Sequence, residues 1–150
     1  MNENDIQKIE QTLGLKVPES YSQIVLNYPC PQAEDICQHG LFNDPDLVIH
    51  SNVEHRKNGW IGFDWPEKHF AIGDDGCGDT YFMIIDGDER VYFADHEAGP
   101  AFWENLEDCC SANSLKEHIE EQMEQEKEFQ EEQARKAERK KNKKWWQFWI

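Results

Sequence analysis

FAIGDDGCGDTYFMIIDGDERVYFADHE, residues 70–97, decides the fold. Three of its runs, FAIG (70–73), TYFMII (80–85) and RVYFA (90–94), are β-branched or aromatic, and turns rich in Gly and Asp separate them. Connections this short cannot carry the crossover that parallel strands need, so the three runs are expected to be antiparallel neighbours. The Asp-Gly step within DGD (86–88) is a hairpin signal, because glycine reaches φ > 0 without steric cost.

Working outward toward the N-terminus, DIQKIEQTL (5–13) places Ile6, Ile9 and Leu13 on one face of a short amphipathic helix, with Gly14 as its C-terminal stop. Pro18 and Glu19 open a second helix, PESYSQIVLNY, whose buried face is Tyr21, Ile24, Val25 and Tyr28 and which Pro29 and Pro31 end. Residues 32–46 read as loop, and LVIH (47–50) as a short strand. Ser51, with Glu54 three residues on, reads as the cap of a brief helix, SNVEHRKN. Trp60 to Trp65 alternates weakly and stops at Pro66. Toward the C-terminus, AFWENLEDCC (101–110) is expected to add an edge strand. Ser114, with Glu117 three residues later, starts a long helix on which Leu115, Ile119 and Met123 can pack against the sheet. The expected fold class is therefore α+β: a largely antiparallel mixed sheet with N-terminal helices and a long C-terminal helix packed against it. Residues 1–123 are expected to form the domain, and 124–150 a charged helical extension that frays or projects into solvent. Glu131–Arg135 and Glu132–Lys136 support that extension at i, i+4 spacing, each worth a few tenths of a kcal/mol.

The 150 residues carry 31 acidic and 15 basic side chains, a formal net charge of −16. Residues 1–120 hold 24 of the acidic and 7 of the basic groups, so the acidity belongs to the domain. A negative body disfavours nucleic acid, itself a polyanion, and favours a basic protein as partner. The five cysteines, 30, 37, 77, 109 and 110, form no CxxC pair. With no basic, then apolar, leader and no apolar run long enough to span a bilayer, the expected location is the cytoplasm.

The loop IGDDGCGDTYF (72–82) admits several uses. Asp74, Asp75 and Asp79 could ligate a hard cation, although EF-hand spacing is missing. The glycines could cradle phosphate, but the carboxylates would repel it. Gly73, Gly76 and Gly78 could instead permit a tight connection in which the aspartates cap backbone N–H groups. The same acids could form a docking site. His96-Glu97 lacks the second His of a zincin helix, and a Cys77–His96 couple would have its thiolate disfavoured by Asp75 and Asp79. Cys109-Cys110 reads as packing, and the histidines as surface or cap residues. No catalytic residue, no metal and no cofactor is expected. Asp74, Asp75, Asp79, Asp86, Asp88, Asp95 and Glu97 are the expected partner-binding residues, concentrated at one end of the sheet.

The order of these pieces resembles the SUKH superfamily, the proteins related to fungal cell-wall assembly regulators and bacterial toxin-immunity proteins. The resemblance rests on Leu13-Gly14, Pro18-Glu19-Ser20-Tyr21, Ile72-Gly73, Gly76 with Gly78-Asp79, Val91-Tyr92, Asp95-His96-Glu97 and Ser114-Leu115, within residues 5–120. It implies an α+β fold and a non-enzymatic, protein-binding role, such as neutralising a cognate toxin, often a nuclease. Segment 30–60 and the charged extension depart from the pattern. The chain ends KKNKKWWQFWI, in which Lys143, Lys144, Trp145, Trp146, Phe148 and Trp149 form a basic, aromatic cluster. Such a tail suits an anionic membrane surface, docking onto the body, or pairing between copies in a homo-oligomer. A scaffold or regulatory module using this tail is the alternative function.

Overall fold

The computed structural model describes residues 1–27, 37–38, 40–98 and 105–146, with the side chains of 37–38 and 141–146 excluded. In chain order the elements are α1 (Glu3–Leu13), α2 (Glu19–Leu26), β1 (Cys37–Gln38), β2 (Leu41–Phe42), α3 (Pro45–Asn58), β3 (His69–Asp74), β4 (Thr80–Ile84), β5 (Val91–Ala94), a 3-10 turn (Leu106–Cys109), β6 (Cys110–Ala112) and α4 (Leu115–Trp146). Strands β3-β4-β5-β6 form one sheet in that order and β1-β2 a second, two-stranded one. Every described pairing is antiparallel, so the fold is α+β with an antiparallel sheet, and the three runs of 70–97 are its consecutive strands. The chain falls into two compact units, Met1–His118 and Ile119–Ile150.

Both faces of the sheet are covered. On one, Ala71, Phe82 and Tyr92 lie in register across β3, β4 and β5 and pack with Trp60, Trp65 and Cys109. Phe82 stacks on Tyr92 at 5.3 Å and on His69 at 4.4 Å. On the other face, Phe70 meets Tyr21 of α2 edge-on at 5.7 Å, and Tyr81 meets His118 of α4 at 4.6 Å. The Tyr21 hydroxyl donates to the Phe42 carbonyl and so ties α2 to β2. The α1 face follows its periodicity, with Ile9 fully buried, Ile6 and Leu13 half-buried, and Gly14 closing the helix at φ 66°. In α2, Tyr21 and Val25 are buried, Ile24 is half-buried, and Pro18 takes the cap position just outside the helix. Tyr28 lies outside the described residues.

The expected strand at 47–50 and the separate helix at 51–58 are corrected to one 14-residue helix, α3. Its cap is Asp44, whose Oδ1 accepts from Asp46 N (2.8 Å) and Leu47 N (3.3 Å), with Pro45 in the first turn. Ser51 is therefore mid-helix, and the capping signal overrules the β-branched run that follows it at 47–50. Val48 and Asn52, four apart, form the buried face. Asn52 works at the sheet edge: its amide donates to Ala71 O (2.8 Å) and its Oδ1 accepts from Ala71 N (3.0 Å). That is the pair of bonds a neighbouring strand would make to β3.

Trp60 to Trp65 is a tight turn, not a strand, with Trp60 N donating to Phe63 O (2.7 Å) and Phe63 N to Trp60 O (2.9 Å). The edge strand exists but lies at Cys110–Ala112, after a 3-10 turn that occupies Leu106–Cys109; residues 101–104 lie outside the described residues. In the β4–β5 turn the positive φ belongs to Asp86 (57°), not Gly87. Gly87 is needed for a different reason, since a Cβ there would stand 2.6 Å from Ile84 Cβ. The Ser114 cap holds, its Oγ accepting from Glu117 N (3.2 Å), while Glu117 reaches past it to Asn113 N (2.7 Å). From there α4 continues to Trp146, with residues 123–140 exposed. No helix among the described residues is long and apolar enough to cross a membrane.

Candidate functional site

The β3–β4 loop is organised by its own aspartates. Asp74 Oδ1 accepts from Gly76 N (2.8 Å), and Asp75 Oδ1 accepts from Cys77 N (2.8 Å) and Asp79 N (3.1 Å). Gly76 and Gly78 take φ values of 78° and 109°, which only glycine adopts without strain. Of the uses open to this loop, the structural one is what the geometry displays. Gly73 differs from its companions: it lies within β3, where a Cβ would sit 1.5 Å from Gly40 O, so its bare backbone admits the β1–β2 connection.

Asp79 then fastens the loop to the end of β5. Its Oδ1 accepts from His96 N (2.8 Å) and His96 Nδ1 (2.5 Å). Burial works against the Asp79 carboxylate, but the His96 hydrogen bonds and charge outweigh it and hold its pKa below the usual value. His96, exposed, is raised above 6.5 by the Asp79 hydrogen bond first and then by the charges of Asp79, Glu97 and Asp95. Asp95 Oδ1 in turn accepts from Glu97 N (2.7 Å). Asp79, Asp95 and His96 each bring one donor atom within 4.8 Å of the others. Because His96 Nδ1 and Asp79 are already bonded to one another, the cluster acts as a clasp between loop and strand.

Beside the clasp lies an open cleft of about 480 Å³. One wall is α3, through Ser51 and His55; another is the 60–63 turn, through Trp60 and Ile61; the third is the loop, through Asp74, Asp79 and Thr80. Thr80 Oγ1 accepts from Trp60 Nε1 (3.1 Å) and lies 3.5 Å from His55 Nε2. Burial, and then the Arg56 charge, lower the His55 pKa to about 4, so the ring is neutral near pH 7, and it packs tilted against Trp65 with ring centroids 4.6 Å apart. The rim residue Ile61 is 53% exposed and holds φ 50°. Ile61 and Gly62 (φ 83°) together make a two-residue turn with φ > 0 at both positions, which normally calls for Asn-Gly. A β-branched side chain in that backbone region costs about 1–2 kcal/mol. Here an apolar side chain is held out to solvent at an energetic penalty, next to an acidic loop.

The structure brings together five of the seven expected partner-binding residues. Asp74, Asp75, Asp79, Asp95 and Glu97 sit at the end of the sheet where Asp74 and Ala94 both pair with Thr80. Asp86 and Asp88 sit in the turn at the opposite end, a correction that follows from antiparallel geometry: consecutive turns fall on alternate ends. Asp88 is moreover paired with Arg90 (2.5 Å), which also reaches Glu107 (2.5 Å). Of the tail, Lys143, Lys144, Trp145 and Trp146 lie in α4, while Phe148 and Trp149 lie outside the described residues. The histidines expected at the surface include three drawn inward: His55 among aromatic rings, and His69 and His118 buried. Cys109 is core, its thiol pKa pushed up by burial, and Cys77 is exposed.

The cleft itself is absent from the sequence-based expectations. Its signal is Trp60-Ile61-Gly62-Phe63, where glycine follows an apolar residue in the manner of a two-residue turn, and weak alternation masks it.

Comparison with known proteins adds one finding. A protein-family model described as SMI1 / KNR4 family (SUKH-1) matches residues 1–110, the part that carries the sheet strands β1–β5 and the cleft. Neither the search of curated proteins nor that of solved structures found a match. On the family match over most of its length, the chain belongs to the SMI1/KNR4 family (SUKH-1).

Proposed function

We propose that this chain is a protein-binding domain that neutralises a cognate toxin, docking a cationic segment of it on the acidic end of the sheet and in the adjoining cleft. SUKH membership is consistent with an immunity or regulatory protein-binding role. The observation that carries the specific reading is Ile61: an exposed, strained apolar residue that lines the same cleft as Asp74 and Asp79 has the composition of an interface anchor with a charged rim. A basic domain with a phosphate-holding surface, as a nuclease has, complements the net charge of −16. Such a role needs no catalytic group and no cofactor, and it places the protein in the cytoplasm beside its target.

The test uses substitutions that keep every cap. Asp74→Asn, Asp75→Asn and Glu97→Gln together remove three charges while leaving the Oδ1 acceptors of the loop in place. The partner purified with the wild type from the producing cell should be lost by this variant and retained by Asp86→Asn with Glu89→Gln at the far end. Expressed alone, that partner should arrest growth, and co-expression of the wild-type chain should restore it. A partner indifferent to the triple variant, or one that is harmless when expressed alone, would contradict the proposal.

A further inference from the structure

The long helix divides by charge. Residues 117–132 of α4 hold eight Glu and one Lys, and residues 135–144 hold seven Lys or Arg and one Glu. Segregation of this kind sets like charges at i, i+4. In the acidic half, Glu117–Glu121, Glu120–Glu124, Glu124–Glu128 and Glu128–Glu132 repel; in the basic half, Arg135–Arg139, Lys136–Lys140, Arg139–Lys143 and Lys140–Lys144 do. Opposite charges at that spacing are fewer and cluster near the junction, where Lys136 Nζ lies 2.9 Å from Glu132 Oε1. The order, acid first and base last, suits the helix dipole, but the dipole acts only on the terminal turns and leaves the interior repulsion in place.

We infer that α4 is a self-association helix, which pairs antiparallel with α4 of a second copy so that the acidic half of each lies along the basic half of the other. A parallel pair would set like against like. An antiparallel pair relieves both halves at once, and the charges choose the register. A two-fold axis between Gln133 and Ala134 sets Glu124 and Glu128 opposite Lys143 and Arg139, and Glu131 and Glu132 opposite Lys136 and Arg135. Lys127 opposite Lys140 is the exception. Sliding the axis a turn either way loses opposite pairings and brings Glu128 to Glu132, or Arg135 to Arg139. The opposite-charge pairs share one helix face, on which Glu124, Glu128, Glu131, Arg135 and Arg139 recur at steps of four, three, four and four. One half of that face is acidic and the other half basic. From Glu124 to Arg139 that face is exposed.

Sedimentation of the full chain tests this with salt and with charge exchange. At about 20 µM the wild type should sediment as a dimer in about 50 mM salt and as a monomer in about 1 M, where the screening length falls to about 3 Å. One variant reverses the acidic half (Glu124→Lys, Glu128→Lys, Glu131→Lys, Glu132→Lys). Another reverses the basic half (Arg135→Glu, Lys136→Glu, Arg139→Glu, Lys143→Glu). Each alone should be monomeric at low salt, and an equimolar mixture should form a heterodimer, with helix content rising on mixing by circular dichroism. A wild type that is monomeric at low salt, a dimer indifferent to either reversal, or reversed variants that ignore each other would overturn the inference. So would vesicles of anionic lipid that bind the wild type as a monomer while no dimer forms in solution.

Discussion

Replacing Asn52 with alanine should cost more stability than any surface change in the domain, and the magnitude can be worked from four hydrogen bonds. The side chain is fully buried. Its amide donates to Val48 O (3.0 Å) and Ala71 O (2.8 Å), and its Oδ1 accepts from Ala71 N (3.0 Å) and Arg56 Nη1 (3.0 Å). Among the described residues β3 is the edge strand of its sheet, and no other described strand takes over Ala71. Val48 O still serves the helix; the two Ala71 groups are left buried and unsatisfied, at about 1–3 kcal/mol each. With the small cavity added, Asn52→Ala should lose about 3–5 kcal/mol, a large share of the roughly 5–15 kcal/mol of a whole domain. In a unit of this size that corresponds to a drop in Tm of about 10–20 °C. Calorimetry of wild type and variant at neutral pH reads it directly. A loss under about 1 kcal/mol would mean that water or a shifted strand satisfies Ala71, and the reading of Asn52 as a substitute strand would be refuted.

Three further outcomes follow from the same geometry. Ile61→Asn should raise stability by about 1 kcal/mol, because Asn tolerates the left-handed backbone, and should weaken partner binding in the same protein; a variant that binds unchanged would sever the link between strain and docking. The clasp has a pH window set by its two shifts. The lowered pKa of Asp79 contributes stability that is present above the usual 3.8 and lost as pH falls through its folded value, and the raised pKa of His96 contributes stability present below the usual 6.5 and lost as pH rises through its own. The Tm gap between wild type and His96→Gln should therefore be widest between the usual carboxylate and imidazole ranges and narrow as pH rises through the raised His96 pKa, and a gap that grows with pH would reverse the assignment. Gly73→Ala must push β2 away from β3, since the new Cβ would stand 1.5 Å from Gly40 O. Urea denaturation should show a loss of about 3 kcal/mol, and near-neutral behaviour would contradict that close approach.

The sheet is legible in the sequence because its signals are local: alternating strands and Asp-Gly turns lie within 28 consecutive residues, and antiparallel pairing follows from turn length alone. α3 is not, because LVIH carries strand-forming residues, while the deciding feature, the Asp44 cap with Pro45 behind it, lies outside that run. The acidic residues do gather on turns as expected, but consecutive turns alternate between the ends of the sheet, and that parts Asp86 and Asp88 from the rest. Asn52, Ile61 and the inward histidines are invisible for another reason. Their roles depend on long-range neighbours, such as Ala71 for Asn52 and Thr80 for His55, 19 and 25 residues away. No periodicity within a helix or a turn reports such partners.

Photocrosslinking in the producing cell tests the docking claim most directly, because the adduct itself captures whatever protein occupies the face. A benzophenone amino acid at position 61, on the rim of the cleft, should give one discrete adduct with a basic protein, and the same group at position 89, in the opposite turn, should give none. Adducts from position 89 alone, or equal and diffuse labelling from both, would contradict the assignment of the acidic end as the binding face.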